Sequence, residues 1–139
     1  EKITLRVVMG PQEKMFTKEG RETFLNSEYT VTSEFDRMGC RLDGELIEHV
    51  QSGDIISDGI AFGAIQVPSA GKPIIMLADR QTTGGYTKIA NVISADFRIL
   101  AQLKAGDKVR FEKVSITAAQ EALLAQRATL RCLRSAIDR

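Results

Sequence analysis

Histidine occurs once in these 139 residues and tryptophan not at all. With His49 alone, neither a zinc site nor a Ser-His-Asp triad can be assembled locally, so no metal centre is expected. His49 itself reads as a residue of an exposed turn or edge in LIEHVQSGD. Cysteine is equally scarce. Cys40 and Cys132 stand far apart and outside any CxxC or CxxH spacing, as free, mostly buried thiols of a reducing compartment would. A cytoplasmic location follows by default. No apolar run approaches the ~20 residues of a membrane-spanning helix. No signal peptide precedes the first strand, and no GxxxxGK[ST] or GxGxxG loop is present, which removes P-loop and dinucleotide chemistry. Excess charge is also missing: the net charge is +1. The densest basic run, RATLRCLRSAIDR, carries Arg127, Arg131 and Arg134 without interleaved aromatics and reads as a solvated helix face. Nucleic acid and membrane are therefore not expected partners.

What is there is a single domain with 43% hydrophobic and 27% charged residues. Ile3 to Met9 alternates as a half-buried strand and stops at Gly10-Pro11. Thr17 caps a short helix to Asn26, which Gly20 weakens. Glu28 to Ser33 is a strand, and EFDRMGCRLDGELI holds two extended segments broken at Gly39 and at the hairpin signal Asp43-Gly44. Ile55-Ile56, Ile60 to Val67 and Pro73 to Leu77 read as short strands separated by Asp58-Gly59 and by Ser69 to Lys72. Tyr86 to Ile93 is a strand, Ser94-Ala95-Asp96 opens a short helix, and Lys108 to Val114 is the last strand. A final helix starts within Ser115 to Ala119, with Thr117 as cap and Gln120 three residues on. Its apolar stripe (Ala122, Leu123, Gln126, Leu130, Leu133, Ile137) should pack on the domain. The class is mainly β: a barrel or sandwich with a few short helices and a carboxyl-terminal helix.

The chemistry concentrates between Gly63 and Tyr86, in GAIQVPSAGKPIIMLADRQTTGGY. Glycines, glutamines and a threonine pair at strand ends suit a pocket in which a ligand approaches the backbone. The same residues also suit a plain scaffold, with Gly84-Gly85 as a hairpin turn and Gln66 on a solvated face. Asp54, Asp58 and Asp79 offer carboxylates; Asp58 and Asp79 could face one pocket or accept backbone hydrogen bonds in turns. Arg37 could join a structural ion pair or grip a carboxylate or phosphate.

FDRMGCRLDG, GAIQVP and DRQTTGGY, within a longer run to FEKV, resemble the carboxyl-terminal half of the biotin-dependent carboxyltransferase-like family that includes the C subunit of 5-oxoprolinase, and allophanate hydrolase subunit 2. The resemblance spans roughly Leu5 to Val114. It implies a cyclophilin-like closed β-barrel. Residues 1–139 would be one such domain, the second half of a longer two-half bacterial protein, inactive alone. The abrupt start at Glu1-Lys2-Ile3 agrees with a cut at the junction. It further implies work with a B-like barrel partner and an A-like protein of the 5-oxoprolinase complex, opening 5-oxoproline to glutamate with ATP bound in the complex, by those partners or in contact with this half. Under a carboxyltransferase alternative, biotin for urea or allophanate chemistry would arrive on another chain or domain. A third possibility is a non-catalytic antagonist of a kinase-inhibitor protein. Prolyl isomerase activity is not implied, since fold does not fix function. On this resemblance Arg37 would neutralise an anion, Gln66 and Gln81 would donate to a carbonyl or oxyanion, and Asp79 would orient Gln81 or Arg37 or serve as base. Thr82, Thr83, Gly84 and Gly85 would offer donors to an anionic group, and Tyr86 would close the wall. Alternatively the set forms a tight hairpin at the barrel mouth.

Overall fold

A computed structural model describes residues 2–81 and 83–137. In chain order the strands are β1 (Lys2–Met9), β2 (Tyr29–Phe35), β3 (Gly39–Asp43), β4 (Asp54–Gly59), β5 (Ala64–Val67), β6 (Ile74–Met76), β7 (Thr83–Val92) and β8 (Lys108–Lys113). The helices are α1 (Lys18–Asn26), α2 (Phe97–Leu100) and α3 (Ile116–Ile137). Alternation in β1 and β8 turns Leu5, Val7, Val109 and Phe111 into the core. The two strands run parallel, with Lys2 opposite Lys108 and Val7 opposite Lys113. From β8 the sheet continues through β2, β3, β6, β5 and β7. It then closes on β1, where Val7, Val8 and Met9 face Val92, Asn91 and Ala90. Seven strands thus form a closed barrel, and β4 lies outside it, paired with the first half of β7.

Helix α1 begins where the sequence predicts: Thr17 Oγ1 accepts from the Gly20 amide at 2.9 Å. Its Phe24 is fully buried and stacks on Phe111, with centroids 4.5 Å apart, so the helix plugs the barrel. Burying a side chain of that size contributes roughly 2–3 kcal/mol. A 3-10 turn at Ser94–Asp96 leads into α2. There the buried Asp96 carboxylate accepts from the Arg6 amide (2.9 Å), Nε (3.1 Å) and Nη2 (2.6 Å). That fork ties β1 to the turn that follows β7.

Several sequence expectations need correction. The span from Ile60 to Val67 is not one strand. Residues 60–63 turn, the Ala64 amide donates to Ala61 O, and Gly63 takes φ +82°, which an L side chain adopts only with strain. Asp58-Gly59 does not separate strands but ends β4. Asp43-Gly44 closes β3 without forming a hairpin. The β2–β3 reversal lies instead at Asp36, whose carboxylate accepts from the Met38 and Gly39 amides at 2.8 and 3.1 Å. The cap of α3 is Ser115, which accepts from the Ala118 amide at 3.0 Å, and not Thr117. That helix does not lay its whole stripe on the barrel. Gln126 donates to Ala95 O at 2.9 Å, but every side chain described from Arg127 to Arg134 is exposed, Leu130 and Leu133 included. A 22-residue helix is roughly 33 Å long and outruns the wall on which it starts. Cys132 is exposed for the same reason, whereas Cys40 is buried in the core. Arg127, Arg131 and Arg134 lie on the solvated face as expected.

Two outcomes follow. Asp96→Asn should lower Tm by several degrees, a loss of about 2 kcal/mol, because the amide has no charge and one acceptor oxygen, so its NH2 faces one of the three Arg6 donors; an unchanged Tm would show the fork to be dispensable. In a thiol titration of the native chain at neutral pH, Cys132 should react fast. Cys40 should react only on unfolding, since burial pushes its pKa to about 12 and shields it from reagent. Two fast thiols would contradict the placement of Cys40.

Candidate functional site

Strand β7 is ten residues long and does two jobs. Its second half sits in the wall between β5 and β1. Its first half leaves the wall and pairs with β4, Asp54 opposite Tyr86 and Asp58 opposite Gly84. Between this two-stranded arm and the wall opens a cleft of about 470 Å³. Gln66 and Met76 line it from the wall, Asp54, Ile55 and Ile60 from the β4 side, and Gly84, Gly85 and Tyr86 from β7. Gln81 enters from the preceding loop.

Gln66 is the unusual member. It is only 4% exposed, and among the described residues its Nε2 has no hydrogen-bond partner. Buried polar atoms are almost always satisfied, and an unmet donor costs about 1–3 kcal/mol. Gly84 keeps that donor open to the cleft. A Cβ there would stand 3.3 Å from Gln66 Nε2 and 2.7 Å from Ile60 Cδ1. Gly84-Gly85 is therefore not the hairpin turn that the sequence suggests. Both glycines are extended strand residues, used for close approach rather than for chain reversal.

Two sets of contacts hold the arm. Arg80, which no sequence motif singles out, donates from Nε to Ile60 O (3.1 Å) and from Nη1 to Leu77 O (3.3 Å) and Ala78 O (3.4 Å). It fastens the Gln81 loop to the turn after β4; its place between Asp79 and Gln81 was the available signal. Lys88, almost fully buried, reaches Asp58 Oδ2 at 3.3 Å. Gln12 donates to the same oxygen at 3.2 Å and accepts from the Lys88 amide at 2.9 Å. The Gly59 amide, with Lys88 and Gln12, holds the Asp58 carboxyl below the usual carboxylate range.

The structure thus brings Gln66, Gln81, Gly84, Gly85 and Tyr86 together and leaves other candidates apart. Arg37 Nε meets Asp79 Oδ2 at 2.9 Å, and the Asp79 amide donates to Arg37 O at 2.8 Å. Neither residue lines the Gln66 cleft. Arg37 borders a separate apolar groove of about 530 Å³ with Phe35, Phe62, Leu77 and Leu100. Asp58 is held by Lys88 and Asp79 by Arg37, and Thr83 pairs with Gly59 on the arm. Thr82 lies outside the described residues. His49 is half-buried against Phe16 rather than exposed, with Nε2 donating to Val67 O at 2.8 Å. It braces the β5 end. Among the described residues, no group of acidic, His and Cys side chains could hold a metal.

A family described as "Carboxyltransferase domain, subdomain A and B" matches residues 1–113. The chain belongs to that family. Among curated members, the C subunit of 5-oxoprolinase from Haemophilus influenzae is 43% identical over 112 residues, 81% of this chain and 36% of that protein. The Escherichia coli protein of the same name is 36% identical over 118 residues, 85% of this chain and 38% of its own length. The chain therefore spans little more than a third of the curated relatives it matches. Urea carboxylase of Kluyveromyces lactis superposes with a TM-score of 0.80 at 25% identity, over 86% of this chain and 11% of that one. The carboxyltransferase-domain match takes in the barrel, the arm and the cleft, and stops short of α3.

Because folding lowers the Asp58 pKa, its stabilising contribution is present at neutral pH and is lost as pH falls through the folded value. The Gly59 amide donates to Asp58 Oδ1 at 2.8 Å and reports that titration. Its NMR resonance should move with a midpoint below the ordinary aspartate value of about 3.9. A midpoint at or above that value would mean the arm is not held this way.

Proposed function

We propose that this chain is part of the C subunit of an ATP-dependent 5-oxoprolinase, opening 5-oxoproline to glutamate with B-like and A-like partner proteins. The observation that carries the reading is the unpartnered Gln66 donor, set in a cleft built from the same GAIQVP and QTTGGY segments that mark the family. The identity to curated 5-oxoprolinase subunits supports the substrate class. Residues 1–139 would then be one barrel of a longer two-half protein.

The overall reaction takes 5-oxoproline, ATP and two waters to glutamate, ADP and phosphate, one water opening the lactam and the other accounting for cleavage of the γ-phosphate. A lactam carbonyl is a weak electrophile, and donors aimed at its oxygen favour the charge that develops there during ring opening. Gln66 Nε2 would supply one such donor, and Gln81 is placed on the same cleft to supply another. Tyr86 would wall the ring, and Gly84 would admit it. The cleft does not fit a triphosphate. No Lys or Arg is among the described residues that line it; Gly84 pairs with Asp58, and Gly84 and Gly85 are both extended residues of β7 rather than curled into an anion-binding nest. ATP is accordingly assigned to the partner proteins. Arg37, steadied by Asp79 and well exposed, keeps the role of anion partner, facing groups that a neighbouring protein supplies.

Likeness to a urea carboxylase favours a second reading, carboxyl transfer to a urea-type amide from biotin carried elsewhere. Glutamate formation from 5-oxoproline, measured in an assembled mixture of the full protein that contains this chain and its partners, decides between them. Gln66→Leu should cut turnover on the order of a hundredfold with assembly intact, the usual cost of one lost carbonyl donor. Turnover that survives the substitution would remove Gln66 from the reaction. No glutamate from 5-oxoproline, with avidin-sensitive carboxylation of urea by the same mixture, would favour the carboxyltransferase.

A further inference from the structure

We infer that the Gln66 cleft recognises a neutral amide, through its C=O and N–H together, and rejects anions. The polar side chains on its wall are those of Asp54, Gln66, Gln81 and Tyr86: two amides, a phenol and one carboxylate, with no Lys or Arg among the described lining residues. Cations of the neighbouring segments are engaged elsewhere. Arg80 holds the carbonyls of Ile60, Leu77 and Ala78; Lys88 holds Asp58; Arg37 holds Asp79. An anion entering here would lose its water against a carboxylate and gain no counter-charge.

An amide suffers neither cost. Its oxygen accepts from Gln66 Nε2, a buried donor without a partner among the described residues, and Asp54 is the acceptor available for its N–H. The bare Cα of Gly84 leaves room beside Nε2, where a Cβ would come within 3.3 Å, so a planar group fits. Ile55, Ile60 and Met76 supply apolar contact for ring methylenes. This deepens the function proposed above and rests on it in treating the cleft as a substrate site. It adds that a substrate carboxylate, or any phosphate, is held outside this cleft. A lactam and a urea share this chemistry.

The test is an NMR titration of the isotope-labelled 139-residue chain with four probes: 2-pyrrolidinone, urea, acetate and inorganic phosphate. The lactam or urea should shift the Gln66 side-chain NH₂ pair and the Gly84 and Gly85 amides, and the two anions should leave them in place. Which amide acts at lower concentration separates a lactam source from a urea source. Gln66→Leu and Gly84→Ala should each weaken the amide response about tenfold or more, the rest of the spectrum showing an intact barrel. Shifts caused by acetate or phosphate, or no shift with any probe, would overturn the inference. Turnover of 5-oxoproline by the assembled complex tests the parent reading separately. If turnover needs Gln66 but 2-pyrrolidinone does not bind, amide recognition falls and the parent reading stands. If 2-pyrrolidinone binds but the complex makes no glutamate, the reverse holds.

Discussion

The antiparallel contact between Val7–Met9 and Ala90–Val92 turns a sheet into a barrel, and the site depends on it. Without it β1 and β7 would both be sheet edges with unpaired amides and carbonyls. With it, the second half of β7 is fixed on both sides, by β1 and by β5. A strand held so firmly at one end can run out of the wall at the other and carry a second strand with it. The β4–β7 arm is that extension, and the cleft is the space between the arm and the wall it leaves. The Arg6–Asp96 fork reinforces the closure, gripping the turn just after β7 from the strand that β7 pairs with.

Closure explains rigidity; it does not explain why a buried amide is left without a partner. Gln66 stands in a strand whose neighbours Ala64, Ile65 and Val67 are all buried, and an apolar residue there would avoid the desolvation cost. Gly84, across the cleft from it, likewise gives up packing that a side chain would provide. Both departures line one cavity and meet there, a Cβ on Gly84 standing 3.3 Å from Gln66 Nε2. Departures from local packing rules that coincide in space mark a site more surely than either does alone. The ordered contacts around them, Arg80 on three carbonyls and Lys88 with Asp58, keep the opening from collapsing.

Much of the barrel was legible because strand alternation is a local signal. Leu5, Val7, Val109 and Phe111 declare their inward face by period alone, and Thr17 declares its helix by capping chemistry. The arm was illegible because its pairing joins residues some thirty positions apart, Asp54 with Tyr86, across two intervening strands. Gly84-Gly85 reads as a turn to any local rule; only Ile60 and Gln66, brought close by the fold, show that it is strand. The stretch from Gly63 to Tyr86 supplies Gln66, Met76, Gln81, Gly84, Gly85 and Tyr86 to the cleft, while Asp54, Ile55 and Ile60 come from outside it. Gln66 and Gln81 meet there, whereas Asp79 lies close to Gln81 in sequence yet turns to Arg37. The stripe of α3 misled for the opposite reason: periodicity gives a helix its apolar face but not a surface long enough to cover it.

The charge pattern of the cleft bears on how work is divided within a complex. A lactam that must be activated with ATP brings a neutral ring amide, a carboxylate and polyphosphate into one reaction. One small cleft cannot serve all three well, because groups that cradle a phosphate would compete for the same space with groups that read an amide edge. Here the described wall carries amides, a phenol and one carboxylate, and the exposed cation Arg37 borders a different groove. Under the proposed function, a chain that spans little more than a third of its curated relatives would supply one wall of such a site and leave charge handling to other segments. On that arrangement the buried donor and the absent cation are one device. The less charge the cleft offers, the less an anionic competitor gains there over the neutral group it is shaped to hold.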